Sequence, residues 1–372
     1  MKDQFIEPTN MKKILFLADN LGSGGAERQM VSVARMLKRN GYDVSVLCYS
    51  EGDFNAHLLT DEEIPIIWMI EPHALPRIFK VRKYIRTHRY DVVISFLETP
   101  NFLNNLSAIG SHKWKVITGE RSSMDSTFTS RKAKIYMKFQ RFADVIVCNS
   151  NNARQKWMQH VPQFATKLKT IYNMVVLGEI SADYCARKDG KLHMVVAASH
   201  QYLKNAMGLV RALSLMDEEQ LSRIKIDWYG SKSSSGYGSK AYDEVCDYVK
   251  GHGLGNQIEF FGPTSDLANI MNQADIVALF SKLEGLPNTI CEGMTIGKPI
   301  IMTRVSDYDK LVDPSNGFLC DWDNIESIKK ALVQALYLNE IQLSQMGLAS
   351  KNKANQLFSV ESVMQQWMSV ID

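Results

Sequence analysis

The residues with the most capacity for chemistry are two glutamates, Glu284 and Glu292. Seven residues separate them in ADIVALFSKLEGLPNTICEGMTIGKPII, Ala274 to Ile301. Paired carboxylates suggest acid–base work, so the elements that carry them matter. The apolar run Ile276 to Phe280 has the length and continuity of a buried parallel strand. Gly285 loosens the backbone after it, and Pro287 suits the first turn of a helix, where its missing N–H costs nothing. Gly297 reads as the C-cap of that helix. Both carboxylates then fall at the carboxyl end of a buried strand, where open α/β sheets bind ligands. Spacing alone equally allows two solvated glutamates on a plain crossover helix.

A second group lies near the start of the chain. Gly22-Ser23-Gly24-Gly25-Ala26-Glu27 follows a short strand, Lys13 to Ala18, and precedes an amphipathic helix over about 26–39. The loop lacks the third glycine of a dinucleotide fingerprint and the Lys-Ser/Thr of a phosphate loop. Gly24 and Gly25 at a helix N-terminus still let an anion or a sugar hydroxyl approach backbone N–H groups. A turn that merely needs positive φ explains them as well. Glu120, Arg121 and Ser122, at the carboxyl end of the strand-plus-loop unit KVITGER, fall on the ligand-binding edge of the same sheet.

Strand and helix patterns alternate through both halves, which predicts an α/β protein of two doubly wound, Rossmann-like domains facing each other across a cleft. With 372 residues, two cores are expected. Residues 1–180 form the N-terminal domain and 190–355 the C-terminal one. The irregular stretch Tyr172 to Lys191 links them, and a helix at 356–372 packs back on the first domain. Its apolar face (Val360, Val363, Met364, Trp367, Ile371) needs a partner surface. SKSSSGYGSK, Ser231 to Lys240, reads as a mobile surface loop.

Bulk composition excludes several classes. No apolar run approaches the roughly 20 residues that span a bilayer, and the first ten residues read as a loose leader. Six cysteines lie far apart with no CxxC pair, which points to a reducing, cytoplasmic setting and no metal centre. The net charge of +3 hides an asymmetry: residues 1–180 carry 25 basic and 17 acidic side chains. Two basic segments, Arg77 to Arg89 and Arg131 to Arg141, suit an anionic membrane surface or a solvated helix face. Nothing points to nucleic acid.

With these motifs in view, GGAERQMVSVARMLKRNGYDVSVL, the paired-glutamate segment and NGFLCDWDN resemble the retaining nucleotide-sugar glycosyltransferases of family 4. DVVISFLETPN and TGERSS resemble the branch that builds bacterial surface polysaccharides. The resemblance covers nearly the whole chain from Met11 and implies the glycosyltransferase-B fold. It implies transfer of a hexose or N-acetylhexosamine from a nucleotide-diphosphate sugar, UDP ahead of GDP, to a glycan acceptor on a lipid carrier at the inner membrane face. Glu284 would contact donor hydroxyls and Glu292 the ribose. Lys204, flanked by Ser199 and Asn205, would face the diphosphate, with the backbone from Gly285 and Leu286 through Pro287, Asn288 and Thr289 against it. The acceptor side would hold Gly24, Gly25, Glu120 and Arg121.

The chemistry suits these types, because a lysine and a helix N-terminus stabilise the charge that grows on a departing diphosphate. Family members are thought to deliver the acceptor on the leaving-group face, so Glu284 is not read as a nucleophile. The family's usual arginine before the lysine is absent, with Ala198-Ser199-His200 in its place, so either Arg121 or another basic residue substitutes, or donor binding is weaker. Two Asp-x-Asp triplets, at 307–309 and 321–323, are expected to bind no essential metal, and no cofactor is implied. Two alternatives remain: an epimerase or hydrolase on the same scaffold, and a silent glycan- or nucleotide-binding protein.

Overall fold

A computed structural model describes residues 11–121, 126–177, 180, 189–232 and 236–372. The leader, Ser122, Cys185 and most of the linker lie outside the described residues. The chain forms two compact units, one of residues 1–174 with 360–372 and the other of 175–359.

Unit 1 is a seven-stranded parallel sheet: β1 (Lys13–Ala18), β2 (Asp43–Cys48), β3 (Ile66–Trp68), β4 (Val92–Phe96), β5 (Lys115–Glu120), β6 (Val145–Cys148) and β7 (Leu168–Thr170). The spatial order is β3-β2-β1-β4-β5-β6-β7. Unit 2 repeats the plan with six: β8 (Leu192–Ala197), β9 (Ile224–Tyr229), β10 (Ile258–Phe261), β11 (Ile276–Leu279), β12 (Ile300–Thr303) and β13 (Gly317–Cys320), ordered β10-β9-β8-β11-β12-β13. All pairings are parallel. Such sheets carry helices on both faces, which is why β1, β4, β11 and β12 read as near-continuous apolar runs. Each sheet reverses its winding where its first strand meets its fourth, β1 beside β4 and β8 beside β11, and ligands bind above such points.

The C-terminal helix, Val360–Ile371, finds its apolar partner in unit 1. Val363, Met364, Trp367, Val370 and Ile371 join the core beneath β1 and β4, and Trp367 stacks on Phe96 with ring centroids 6.1 Å apart. One expectation needs correction. Within the predicted surface loop 231–240, residues from Gly236 onward belong to a helix, Gly236–Gly251, which runs unbroken into AYDEVCDYVKG. Glu98 opens the helix Glu98–Ser107.

Candidate active site

In unit 2, two loops meet at the carboxyl ends of β8 and β11. The loop after β8 ends in a single 3-10 turn, Tyr202–Lys204, and then Asn205 in the left-handed region (φ 59°). Asparagine tolerates that conformation better than most residues. Its amide donates to the carbonyl of Trp322 at 2.9 Å, and Gly208 leaves room, since a Cβ there would lie 2.5 Å from that amide. The Lys282 N–H donates to the Leu203 carbonyl at 2.8 Å, fastening the β11 loop to the β8 loop. These ties bring Lys204 Nζ and Glu284 Oε1 to 2.6 Å, in a pair with 21% and 13% of the side chains exposed. The lysine and the carboxylate predicted to hold opposite ends of one ligand thus hold each other.

The helix Asn288–Ile296 rises from the same loop. Pro287 is its N-cap and stands one position ahead of the predicted first turn. A proline offers no capping side chain, and Thr289 donates its hydroxyl to the Ala197 carbonyl at 2.8 Å, so no side chain caps the helix. Its N-terminus can therefore serve an anion. Gly293 packs on β11, where a Cβ would sit 2.8 Å from Val277 Cβ, and Gly297 caps the far end at φ 98°. Leu286 is buried, while Gly285, Asn288 and Glu292 are half-buried. The Gly285 carbonyl accepts from Ser306 Oγ at 2.5 Å, and Ser306 itself is held at φ 56°. An isolated serine gives no sequence signal for that role.

Ser199 is half-buried beside the fully interior His200. That imidazole stacks on Trp228 and meets Tyr242 and Phe260 edge-on. Burial, and then Lys232, pushes its pKa down to about 4. It is therefore neutral at pH 7 and supplies no cation in the stretch where the family's arginine is absent.

In unit 1, Glu120 and Arg121 line a cavity of about 410 Å³ at the carboxyl ends of β4 and β5. Phe102, Tyr136, Met137 and Trp157 form apolar walls, and Asn101 and Gln140 join the polar floor. Glu120 Oε1 accepts from Asn101 Nδ2 at 3.0 Å and Gln140 Nε2 at 2.7 Å. Beneath it, Ser95 Oγ donates to Asn101 Oδ1 at 2.8 Å, and Thr118 Oγ1 and Asn105 Nδ2 donate to Gln140 Oε1. Burial raises the Glu120 pKa to about 7, against the pull of the two amides. Arg121 lies 3.8 Å above the Phe96 ring and donates to Asn173 Oδ1 at 2.7 Å. Burial lowers its pKa to about 10, which leaves it charged at pH 7.

Gly24 is the N-cap of the helix Gly25–Arg39 with φ −67°, so the turn does not need a positive φ. Both glycines stand after β1, two strands from Glu120. The structure thus groups the predicted residues into two sets, one per unit. Asn101, Gln140, Asn173 and Phe96, which hold Glu120 and Arg121, were not anticipated. The three buried asparagines of ETPNFLNNLS, at i, i+3 and i+4 on one helix face, were the available signal.

Both halves of the chain match models of known families. Residues 23–179 match the glycosyltransferase family 4 model, and residues 181–353 match the glycosyl transferases group 1 model. The protein is a glycosyltransferase made of a family 4 domain and a group 1 domain. An uncharacterized glycosyltransferase of Haemophilus influenzae is 26% identical over 97% of this chain and all of its own. The transferase is also similar to a Campylobacter jejuni α-1,4-N-acetyl-D-galactosaminyltransferase named for a diNAcBac-PP-undecaprenol glycan, at 23% identity over 97% and 98% of the two chains. The Anabaena HepE structure in complex with UDP superposes with a TM-score of 0.83, 20% identity and coverage of 96% and 99%, which shows the glycosyltransferase-B fold. No described helix of the glycosyltransferase is long and apolar enough to cross a membrane.

Proposed function

We propose that this glycosyltransferase moves a hexose or N-acetylhexosamine from a UDP-sugar to a lipid-linked glycan during bacterial surface polysaccharide synthesis, with retention at the anomeric carbon. The observation that carries the donor assignment is the uncapped N-terminus of Asn288–Ile296 beside Lys204 and Glu284, at the β8–β11 switch point. An arriving diphosphate takes Lys204 Nζ and the first-turn N–H groups, which releases Glu284 to the hydroxyls of the sugar. Glu292, one helix turn further on, takes the ribose hydroxyls. The sugar–phosphate bond breaks as the acceptor oxygen bonds to the anomeric carbon on the same face. The hydroxyl proton passes to the departing phosphate oxygen. Lys204 and the helix N-terminus balance the charge left on UDP.

Glu120, Arg121 and the cavity they line are the acceptor side, along with the Gly24–Gly25 turn. Aromatic walls over a floor of carboxyl, guanidinium and amide groups suit a sugar ring, which has apolar faces and a polar rim. Relatives named for undecaprenol-linked acceptors support the lipid carrier, and UDP bound in HepE supports the base. Such an acceptor places the transferase at the cytoplasmic face of the membrane.

Calorimetric titration with UDP and GDP tests the donor reading. Glu292→Ala should weaken UDP binding roughly tenfold to a hundredfold, the loss of hydrogen bonds to a charged acceptor. Unchanged affinity removes Glu292 from the site. Incubating the UDP-sugar without acceptor separates transfer from hydrolysis or epimerisation, since a transferase leaves the donor intact.

A further inference from the structure

The hydrogen bonds around Glu120 fix more than its position. Asn101 Nδ2, on the helix Glu98–Ser107, and Gln140 Nε2, at the start of a 3-10 turn, both donate to Oε1. Neither amide is free to turn round. Asn101 Oδ1 accepts from Ser95 Oγ, and its Nδ2 also donates to the Gly119 carbonyl at 3.0 Å. Gln140 Oε1 accepts from Thr118 Oγ1 at 2.9 Å and from Asn105 Nδ2 at 3.1 Å. Reversing Asn101 would set its oxygen against the Gly119 carbonyl, and reversing Gln140 would set its Nε2 against the amide of Asn105. Oε1 is therefore an acceptor only, and a proton on this carboxyl rests on Oε2. That second oxygen enters no hydrogen bond among the described residues. Glu120 is 8% exposed and lines the cavity, and its burial holds the proton up to about pH 7.

Arg121 is the other ionisable group of the floor. Its Nη1 is committed to Asn173, and a guanidinium has no acceptor atom. The amide oxygens of Asn101 and Gln140 are already taken. With Glu120 protonated, this floor offers hydrogen-bond donors. The walls offer apolar surface: Phe102 and Tyr136 stack with ring centroids 4.4 Å apart and planes 12° from parallel, beside Met137, Ala133 and Trp157. A group that suits both is acceptor-only at one atom and apolar next to it. The acetamido group has that form, a carbonyl oxygen with a methyl on the same carbon. Its amide is trans, so a carbonyl turned to the floor turns the N–H toward the rim. Glu98 stands there, lining the cavity with 47% of its side chain exposed. A plain hexose presents only hydroxyl groups, and each one turned to an apolar wall without a partner costs free energy.

We propose that the unit 1 cavity selects an acceptor whose terminal sugar carries an N-acetyl group, with the acetamido carbonyl on Glu120 Oε2 and Arg121 and its methyl against Phe102 and Tyr136. The inference rests on the reading of this cavity as the acceptor side and adds a specificity to it.

Ligand-observed NMR titration of the full-length protein at pH 6, where Glu120 keeps its proton, tests the proposal. The probes are the methyl glycosides of N-acetylglucosamine, N-acetylgalactosamine, glucose, galactose and glucuronic acid. Both acetamido sugars should bind at least about tenfold tighter than the hexosides, through one buried methyl and one hydrogen bond. Glu120→Gln places an N–H donor where the Oε2 proton was, and should keep that preference within about threefold. Glu120→Ala should weaken binding of the acetamido sugars about tenfold. Thermal melts confirm that both variants are folded at the titration temperature. Equal affinity for acetamido sugars and hexosides overturns the N-acetyl assignment while the acceptor cavity stands. Tightest binding of the glucuronide overturns it in favour of an acidic sugar. Binding of none of the five, with UDP still bound, overturns the acceptor reading and the inference with it. A preference that survives Glu120→Ala, or a loss as large in Glu120→Gln, overturns the role of Oε2.

Discussion

Lys204 with Glu284 in unit 2 and Arg121 with Glu120 in unit 1 are each a base and an acid at the carboxyl edge of a parallel sheet. They are held in opposite ways. The unit 2 pair sits on two loops, partly exposed, and its partners neutralise one another directly at 2.6 Å. A ligand that carries its own negative charge can replace the carboxylate with little loss. The unit 1 pair is set in a network of neutral amides and hydroxyls, over aromatic rings, and burial shifts both groups toward their neutral forms. In the function proposed above, one site exchanges a charged partner and the other keeps a proton. A transferase needs both, because its donor is an anion and its acceptor a hydroxyl.

The largest test of this contrast acts on the packing under unit 1. Trp367→Ala removes a buried aromatic ring from beneath Phe96, on which Arg121 lies. It should lower stability by about 3–5 kcal/mol in denaturant unfolding. Titration below the new melting temperature should still show UDP bound, because the residues proposed to hold the donor lie in the other unit. A parallel loss of UDP affinity would break the separation of the two sites.

Lys204→Ala should lower kcat by about 10²–10³, the typical effect of removing one preorganised group that stabilises developing charge. The Kd for UDP should rise less than that, because the lysine acts most strongly when the leaving group is fully charged. Equal losses in both would place Lys204 in ground-state binding only.

Glu120 sharpens the comparison through pH. Its folded pKa of about 7 stands above the ordinary carboxylate value of 4.5, so between those values the folded state binds more protons than the unfolded one. Stability therefore falls as pH rises through that window, by at most about 3 kcal/mol, and is flat above it. Glu120→Gln should abolish this slope in melts taken between pH 5 and 7.5. Lys204→Ala should leave it intact. A slope that survives in Glu120→Gln would assign the proton elsewhere.

The legibility of the two sites differs for the same physical reason. The unit 2 site depends on charged residues and helix-capping signals placed close along the chain, and EGLPN with Gly297 announces both strand end and helix. Unit 1 depends on what surrounds Glu120. Neither Asn101 nor Gln140 stands near it in sequence, and an uncharged amide does not advertise its partner. In the same way, the sequence of Arg77 to Arg89 shows that arginines are present but not that Arg82 and Arg86 bond the carbonyls of Ser107 and Ile109.

Sequence by itself determined the alternation of strand and helix, the duplicated doubly wound plan and the segment carrying Glu284 and Glu292. Those features follow from periodicity and from turn residues, which act over a few positions. Only the tertiary structure decided that Lys204 meets Glu284, that Pro287 leaves a helix end uncapped, and that Glu120 titrates near 7. Each depends on burial or on a contact between distant segments, and both are properties of the packed chain.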